Sequence, residues 1–303
     1  MNTIKFSKNK NLTTEQHDML TANVKWENIF GTDYLIYNPC NLNIFITSVC
    51  QNKCDFCINS KFTGSDCSDG VYEKSLKAVL DEKDFEITIT GGEPTLNMKR
   101  LIFTMRECFE RNLHCRTFST TGFNLLKEYK NKQLWNYLID YNFIHNINIS
   151  RMNIDQNIND NIFGNKNITN KDIEKLAYFF ETNNAEMRLS CNLIKGSVDN
   201  FEGMLNFVDY YSNIGVQTII FRETIGYDLQ FSNILKFNEA FKRVEQIEGP
   251  FYIVDVYEYK DYIVKHYITK QNIDKNIITS FSLRNGIFKD GFSGKRIERS
   301  FYD

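Results

Sequence analysis

Beyond residue 42, short apolar runs alternate with longer stretches in which apolar residues recur every three or four positions. Period two places successive side chains on opposite faces of a strand, whereas period 3.6 gathers them on one face of a helix. The runs 43–48, 85–90, 114–120, 143–150, 186–193 and 216–222 therefore predict six strands. Between them, helical spacing joins Val71, Leu76, Val79 and Leu80, then Met98, Leu101, Ile102, Met105, Cys108 and Phe109. Further helices are predicted around 125–141, through Ile173, Leu176, Ala177 and Phe180, and through Phe201, Met204, Leu205, Val208 and Tyr211. Strands alternating with helices imply a parallel sheet with helices outside. The expected fold class is α/β, a partial (β/α)6 TIM-like barrel, because six units are too few for a closed eight-stranded barrel.

Beyond residue 224 the rhythm changes. A helix is predicted around 234–247, followed by strand-like runs at 251–257, 262–269 and 277–283. The last of these leads through Arg284-Asn285-Gly286 into 287–289, and Asn-Gly between strand-like runs signals a hairpin. The expected organisation is an N-terminal extension over 1–42 and a barrel over 43–225. A small α+β unit would follow over 226–303, with a helix, an antiparallel sheet and a Gly-rich tail. That tail, from Asn285 to Gly294, either folds over the open side of the barrel or lies loose on the surface.

Composition narrows the function classes. The chain has 303 residues, 42% of them hydrophobic, and a formal net charge of -2. Such a chain can bury a sizeable core, and its charge gives no support for nucleic-acid binding. No segment approaches the ~20 apolar residues of a membrane span, and the N-terminus lacks the apolar core of a signal peptide. A cytoplasmic location with no membrane partner is expected. Thiols stay reduced there, so the eight cysteines are read as metal ligands or core residues.

The chemistry gathers at the predicted strand ends, where parallel β/α barrels bind ligands. The first strand runs into Cys50, Cys54 and Cys57, a C-x3-C-x2-C spacing. Three thiolates on one loop can hold three corners of a [4Fe–4S] cluster and leave the fourth iron open to a ligand. The second strand ends in Thr90-Gly91-Gly92-Glu93-Pro94-Thr95. The paired glycines bring backbone close to a ligand, and Glu93 adds a carboxylate suited to an ammonium group. The remaining ends carry Ser119 to Gly122, Ser150-Arg151, Ser190-Cys191-Asn192 and Arg222-Glu223.

The cysteine spacing, with Phe56 before its last cysteine and Gly91-Gly92-Glu93-Pro94 after the next strand, resembles the radical S-adenosylmethionine superfamily. The resemblance covers about residues 43–223. It implies a [4Fe–4S] cluster on Cys50, Cys54 and Cys57, with S-adenosylmethionine chelating the open iron. Cleavage of the sulfonium would release a 5′-deoxyadenosyl radical that takes a hydrogen atom from substrate. By the same resemblance Gly91-Gly92-Glu93-Pro94 holds the methionine amino group and Phe56 lies against the adenine. Ser150 contacts the ribose, Arg151 or Arg222 the methionine carboxylate, and Asn192 lines the site. Ser119 to Gly122 resembles the Thr-Asn-Gly strand end of the MoaA-like branch, with Thr121 where Asn is usual. An external electron donor such as flavodoxin or ferredoxin is implied.

Several readings remain open in the sequence. Cys191 sits mid-strand, and either it or the pair Ser190 and Asn192 faces the interior. The expectation is Cys191 outside, and an inward Cys191 could donate a hydrogen atom to a substrate radical. Glu223 either binds substrate or pairs with a cation. Cys67 could complete a four-thiolate zinc or electron-transfer site with the triad, making the protein a non-catalytic metal protein. Cys108 and Cys115 read as core, and His17, His114, His145 and His266 show no ligand spacing. The absence of cysteine after Cys191 predicts no auxiliary cluster and favours a small-molecule substrate (a nucleoside, sugar or amino-acid derivative) over a short ribosomal peptide.

Overall fold

The computed structural model describes residues 23–57, 59, 65–113, 115–143, 146–223, 234, 239–249, 252–269, 277–291 and 297–302. A hairpin of β1 (Val24–Ile29) and β2 (Thr32–Phe45) leads into α1 (Asp69–Glu82), β3 (Glu86–Thr90), a 3-10 turn (Pro94–Leu96), α2 (Met98–Glu110) and β4 (Cys115–Thr120). A two-stranded ribbon, β5 (Glu128–Tyr129) with β6 (Lys132–Gln133), precedes α3 (Leu134–Asp140) and β7 (Ile147–Ser150). Next come α4 (Gln156–Phe163), α5 (Asn170–Thr182), β8 (Met187–Leu193), α6 (Phe201–Asn213) and β9 (Thr218–Glu223). The chain continues as β10 (Lys242–Glu248), β11 (Tyr252–Tyr259), β12 (Tyr262–Thr269), β13 (Ile278–Arg284), β14 (Ile287–Asp290) and β15 (Glu298–Ser300). Strands β2, β3, β4, β7, β8 and β9 are parallel neighbours in that order. These are the six strands of the expected partial barrel.

Polar side chains start most of the helices. Ser68, Asn97, Asp155 and Asn200 each accept a hydrogen bond from the first turn of α1, α2, α4 and α6, and Thr169 forms a capping box with Asp172 at α5. Gly164, at φ 67°, ends α4 in the left-handed conformation.

Cross-strand partners share a face, so the register sorts every barrel residue. On one face Leu42 pairs with Ile87, Ile89 with Phe118, Phe118 with Ile147, Ile147 with Met187 and Leu189 with Ile219. All are buried in one cluster with Leu76, Leu101, Leu134, Phe180 and Phe207 of the covering helices. Each such side chain contributes about 1.5–3 kcal/mol on burial. The opposite face is polar. Its rows are Asn43–Thr88–Thr117, Ser119–Asn148–Arg188, Ser150–Ser190–Ile220 and Asn192–Arg222–Tyr267. Alternation of large aliphatic and small polar residues thus yields a sheet with a dry outer face and an inner face able to bind a ligand.

Four elements depart from the sequence reading. The first strand begins at Thr32, so part of the expected N-terminal extension is barrel strand. The helix expected over 125–141 is confined to Leu134–Asp140, because Lys130 and Asn131 at φ 50° and 63° make the turn between β5 and β6. Residues 242–248 form an exposed strand, not a helix, because Arg243-Val244-Glu245-Gln246-Ile247 finds a partner in β11. The C-terminal strands also do not gather into one small unit. Strand β12 extends the sheet in parallel beyond β9, while β13 does so beyond β2, at the other edge. The expected Asn285-Gly286 hairpin joins β13 to β14, and Gly294 lies outside the described residues.

The face assignment makes a stability prediction. Phe118→Ala should lower the unfolding free energy by about 3–5 kcal/mol. The neighbouring inner-face change Thr117→Ala should cost less than about 1 kcal/mol. Equilibrium urea denaturation measures both, and equal losses would overturn the assignment.

Candidate functional site

Two loops meet at the ends of β2 and β3. The amide of Gly92 donates to the carbonyl of Thr47 at 2.8 Å, and the amide of Glu93 to that of Val49 at 2.9 Å. This backbone contact leaves no room for side chains. A Cβ on Gly92 would stand 2.2 Å from Val49 O, and one on Gly91 would stand 2.6 Å from Thr47 O. The paired glycines therefore let the second loop lie flat against the stem of the cysteine loop. Glu93 locks the arrangement from below. Its carboxylate is fully buried. One oxygen accepts from Thr95 N (3.0 Å), Thr95 Oγ1 (2.6 Å) and Thr120 Oγ1 (2.5 Å), the other from Thr121 N and Oγ1 (both 2.7 Å). Thr121 Oγ1 also accepts from Gln51 Nε2 at 3.1 Å, which ties the third strand end to the cysteine loop.

The other side of the cysteine loop rests on α4. Lys53 N donates to Phe163 O at 2.8 Å, Asn165 Nδ2 to Gln51 O at 2.8 Å, and Asn52 Nδ2 to Asn167 Oδ1 at 3.1 Å. Phe56 packs edge-on against Phe163, with ring centroids 6.3 Å apart. The stem is fixed by Asp66, which accepts from Thr47 Oγ1 (2.5 Å) and Ser48 N (2.7 Å), while Asn285 Nδ2 reaches Ser48 Oγ at 3.1 Å. Sequence periodicity did not reveal α4. Its only signal was Asp155 and Gly164 at cap positions around a short polar run.

The three thiols suit an iron–sulfur cluster. Burial pushes the Cys54 thiol up to about 12, with Cys57 and Cys50 adding to the shift, so the thiols share one electrostatic environment. Burial also raises Cys50, whose sulfur accepts from Asn52 N at 3.4 Å. Cationic iron offsets the repulsion between neighbouring thiolates. Among the described residues, no three His, Cys, Asp or Glu side chains converge on a point where one metal ion would bind. Cys67 lies in the hydrophobic core, close to Arg100, Asp66 and Asp69. It does not complete a zinc site with the triad.

Residues 40–163 match the family model described as a 4Fe-4S single cluster domain. Among solved structures, SuiB of Streptococcus suis bound to S-adenosylmethionine is similar to this chain at 20% identity and a TM-score of 0.51, over 68% of this chain and 44% of SuiB. The structure of anSMEcpe with bound AdoMet and the Cp18Cys peptide gives 18% identity and a TM-score of 0.46, over 65% of this chain and 59% of that one. The radical S-adenosylmethionine methyltransferase TsrM of Kitasatospora setae gives 13% and 0.41, over 60% and 36%. No curated protein matches the chain. The chain therefore spans less than half the length of SuiB, and the likeness to SuiB is one of fold. The cluster-domain match includes the three-cysteine loop. The chain thus matches a 4Fe-4S single cluster domain over residues 40–163 and shares a fold with SuiB.

Within the partial barrel, strand alternation divides the remaining candidates. Ser150, Asn192 and Arg222 face the interior at the upper rim. Arg151, one residue past Ser150, points the other way and is fully buried. Its guanidinium donates to Tyr211 Oη (2.7 Å), Ile168 O (3.0 Å), Asn170 Oδ1 (2.8 Å), Gln156 Oε1 (3.1 Å) and Ile154 O (3.2 Å). It clamps α4, α5 and α6 together and cannot reach a methionine carboxylate. Cys191 is also outside. It is fully buried beside Met152 O and Ser197 Oγ, and burial raises its thiol to about 12. Facing away from the interior, Cys191 is not placed to donate a hydrogen atom there. Glu223 lies on the outer face too, where it meets His266 Nε2 at 2.9 Å. Asp255 is 3.9 Å from the other ring nitrogen. Burial lowers the His266 pKa against the pull of these carboxylates. Glu223 thus faces away from the barrel interior and serves this cluster. Pro94 begins the 3-10 turn behind Glu93. His17, His114 and His145 lie outside the described residues.

Two variants probe the joint between the loops. Gly92→Ala should fold but bind less than a tenth of the wild-type iron and sulfide after anaerobic reconstitution, because the added methyl displaces the cysteine loop. Glu93→Gln turns one acceptor oxygen into a donor facing other donors, and should cost about 2–3 kcal/mol of stability. Full iron content in the first, or an unchanged thermal midpoint in the second, would contradict this account.

Proposed function

We propose that this protein is a radical S-adenosylmethionine enzyme whose cofactor lies over the upper rim of the partial barrel and whose substrate lies against the polar inner face. The observation that carries the reading is the direct hydrogen bonding of the cysteine loop to the Gly91-Gly92-Glu93 loop. That contact brings the cluster ligands and the backbone suited to a methionine amino group onto one rim. When bound, cluster and S-adenosylmethionine together supply a 5′-deoxyadenosyl radical that removes a hydrogen atom from substrate.

The chain's own residues bind and orient. Cys50, Cys54 and Cys57 hold three irons. The Gly91–Glu93 segment offers backbone to the methionine amino group, since the Glu93 carboxylate is already saturated by five donors and a carboxylate has about four acceptor sites. Phe56 stands on the cysteine loop as the ring for the adenine, and Ser150 faces the ribose. A small polar substrate is supported by the inner face, which presents hydrogen-bonding side chains in every row. The electron enters from an external carrier of the flavodoxin or ferredoxin kind, and Cys50, the exposed cysteine of the triad, marks the side of entry.

The test is anaerobic reconstitution followed by dithionite and S-adenosylmethionine. Wild type should release 5′-deoxyadenosine, measured by liquid chromatography. Cys54→Ala should lose both the brown absorbance and the product. A sample with full iron and sulfide that makes no 5′-deoxyadenosine would sink the proposal.

A further inference from the structure

Several cations of the inner face have acidic partners within the protein. Arg188 donates to both oxygens of Glu186, at 2.9 and 3.1 Å. Arg116 donates to Glu86 Oε2 at 3.1 Å and to Tyr252 Oη at 2.9 Å. Lys265 has Glu186 and Glu245 nearby. Arg222 differs. Its Nε donates to Ser190 Oγ at 2.8 Å, and its guanidinium carbon lies 4.5 Å from the centroid of the Tyr267 ring. No carboxylate among the described residues pairs with it. Burial lowers its pKa, and the nearby Arg188 acts in the same direction. One edge and one face of the guanidinium are thus fixed, while Nη1 and Nη2 have no partner among the described residues. A second unsatisfied group lies on the same face. Asn148 is only 6% exposed, yet its Oδ1 accepts no hydrogen bond. It stands on β7 in the row below Ser190, two strands from β9. A buried acceptor without a partner is costly unless a ligand supplies one.

We propose that Arg222, oriented by Ser190 and Tyr267, receives a carboxylate of the substrate, and that Asn148 Oδ1 accepts from an N–H or O–H group of the same molecule. A planar guanidinium with two free nitrogens matches a carboxylate bidentately, and one unpaired cation matches one negative charge. The substrate class is a small carboxylic acid carrying a nearby donor, such as an amino acid, a hydroxy acid or an N-acyl derivative. The methionine carboxylate of the cofactor offers the same chemistry, but placement argues against it. That carboxylate shares a carbon with the amino group assigned to Gly91–Glu93, at the end of β3. Arg222 stands four strands away, on β9. The inference rests on the substrate occupying the barrel interior, as proposed above.

The probe is N-acetylglycine, which carries both groups, with N-acetylglycinamide as the control that lacks the carboxylate. Both are titrated into reconstituted protein, with and without S-adenosylmethionine, and followed by saturation-transfer NMR. S-adenosylmethionine affinity is measured separately by calorimetry. Wild type should bind N-acetylglycine and not the amide. Arg222→Met should weaken that binding at least tenfold and leave S-adenosylmethionine affinity within twofold. Arg222→Lys, which keeps the charge but loses the fork, should fall between, and Asn148→Leu should weaken N-acetylglycine several-fold. Cluster content and circular dichroism confirm that each variant is folded. The proposal is overturned if wild type ignores N-acetylglycine, if Arg222→Met binds it normally, or if Arg222→Met weakens S-adenosylmethionine tenfold. Wild type that binds N-acetylglycine but not S-adenosylmethionine would defeat the cofactor reading and leave this one standing.

Discussion

The site depends on one backbone contact, the lie of Gly91-Gly92 against Thr47 to Val49. Two amide hydrogen bonds make it, and the absence of two side chains permits it. The contact joins the three-cysteine loop to the strand end nearest it. The buried Glu93 carboxylate then draws in Thr95, Thr120 and Thr121, so that three strand ends move as one body. Such a joint is stiff because each member is satisfied by the others, and a fully satisfied buried polar network tolerates little displacement. A cluster whose open iron must meet a cofactor at a defined position needs that stiffness more than it needs affinity.

The sheet's alternation decides the rest. Ser150 and Arg151, Cys191 and Asn192, and Arg222 and Glu223 are adjacent in sequence, yet each pair is split between the two faces. The inner member meets ligand space. The outer member meets helices or the edge cluster, and its chemistry is spent there. Arg151 gives five hydrogen bonds to the outer layer, an arrangement that resembles a binding site and is instead a structural clamp. Reactive residue types at strand ends therefore carry half the information needed. Face carries the other half.

Much of this was legible in the sequence. The six barrel strands, the three-cysteine loop, the Gly-Gly-Glu-Pro loop and the Asn285-Gly286 hairpin follow from periodicity and turn chemistry, which are local. What was not legible depends on partners distant in the chain. Residues 242–248 support either a strand or a helix pattern, and only β11 decides between them. The division of the C-terminal strands between two sheet edges rests on pairings of β12 with β9 and β13 with β2. Helix α4 is too short and polar for periodicity to reveal, yet it holds the cysteine loop. The hydrogen bonds of the Glu93 carboxylate are hidden for the same reason. Its five donors come from residues that a carboxylate beside two glycines does not announce.

The inner face also has a direction. Its lower rows neutralise their own charges, with Arg116 on Glu86 and Arg188 on Glu186, so the closed end of the barrel is electrostatically quiet. The guanidinium of Arg222, which has no carboxylate partner among the described residues, comes in the top row, nearest the rim. A carboxylate entering from the rim meets attraction first and neutral hydrogen-bonding groups beneath. It is therefore held high in the barrel, close to the loops that gather the cluster ligands. In a low-dielectric crevice an attraction of this kind is strong enough to orient a small molecule without enclosing it. That suits a partial barrel with two free sheet edges. Orientation can come from one charge and one buried acceptor, and the polar rows between them need contribute no specificity of their own.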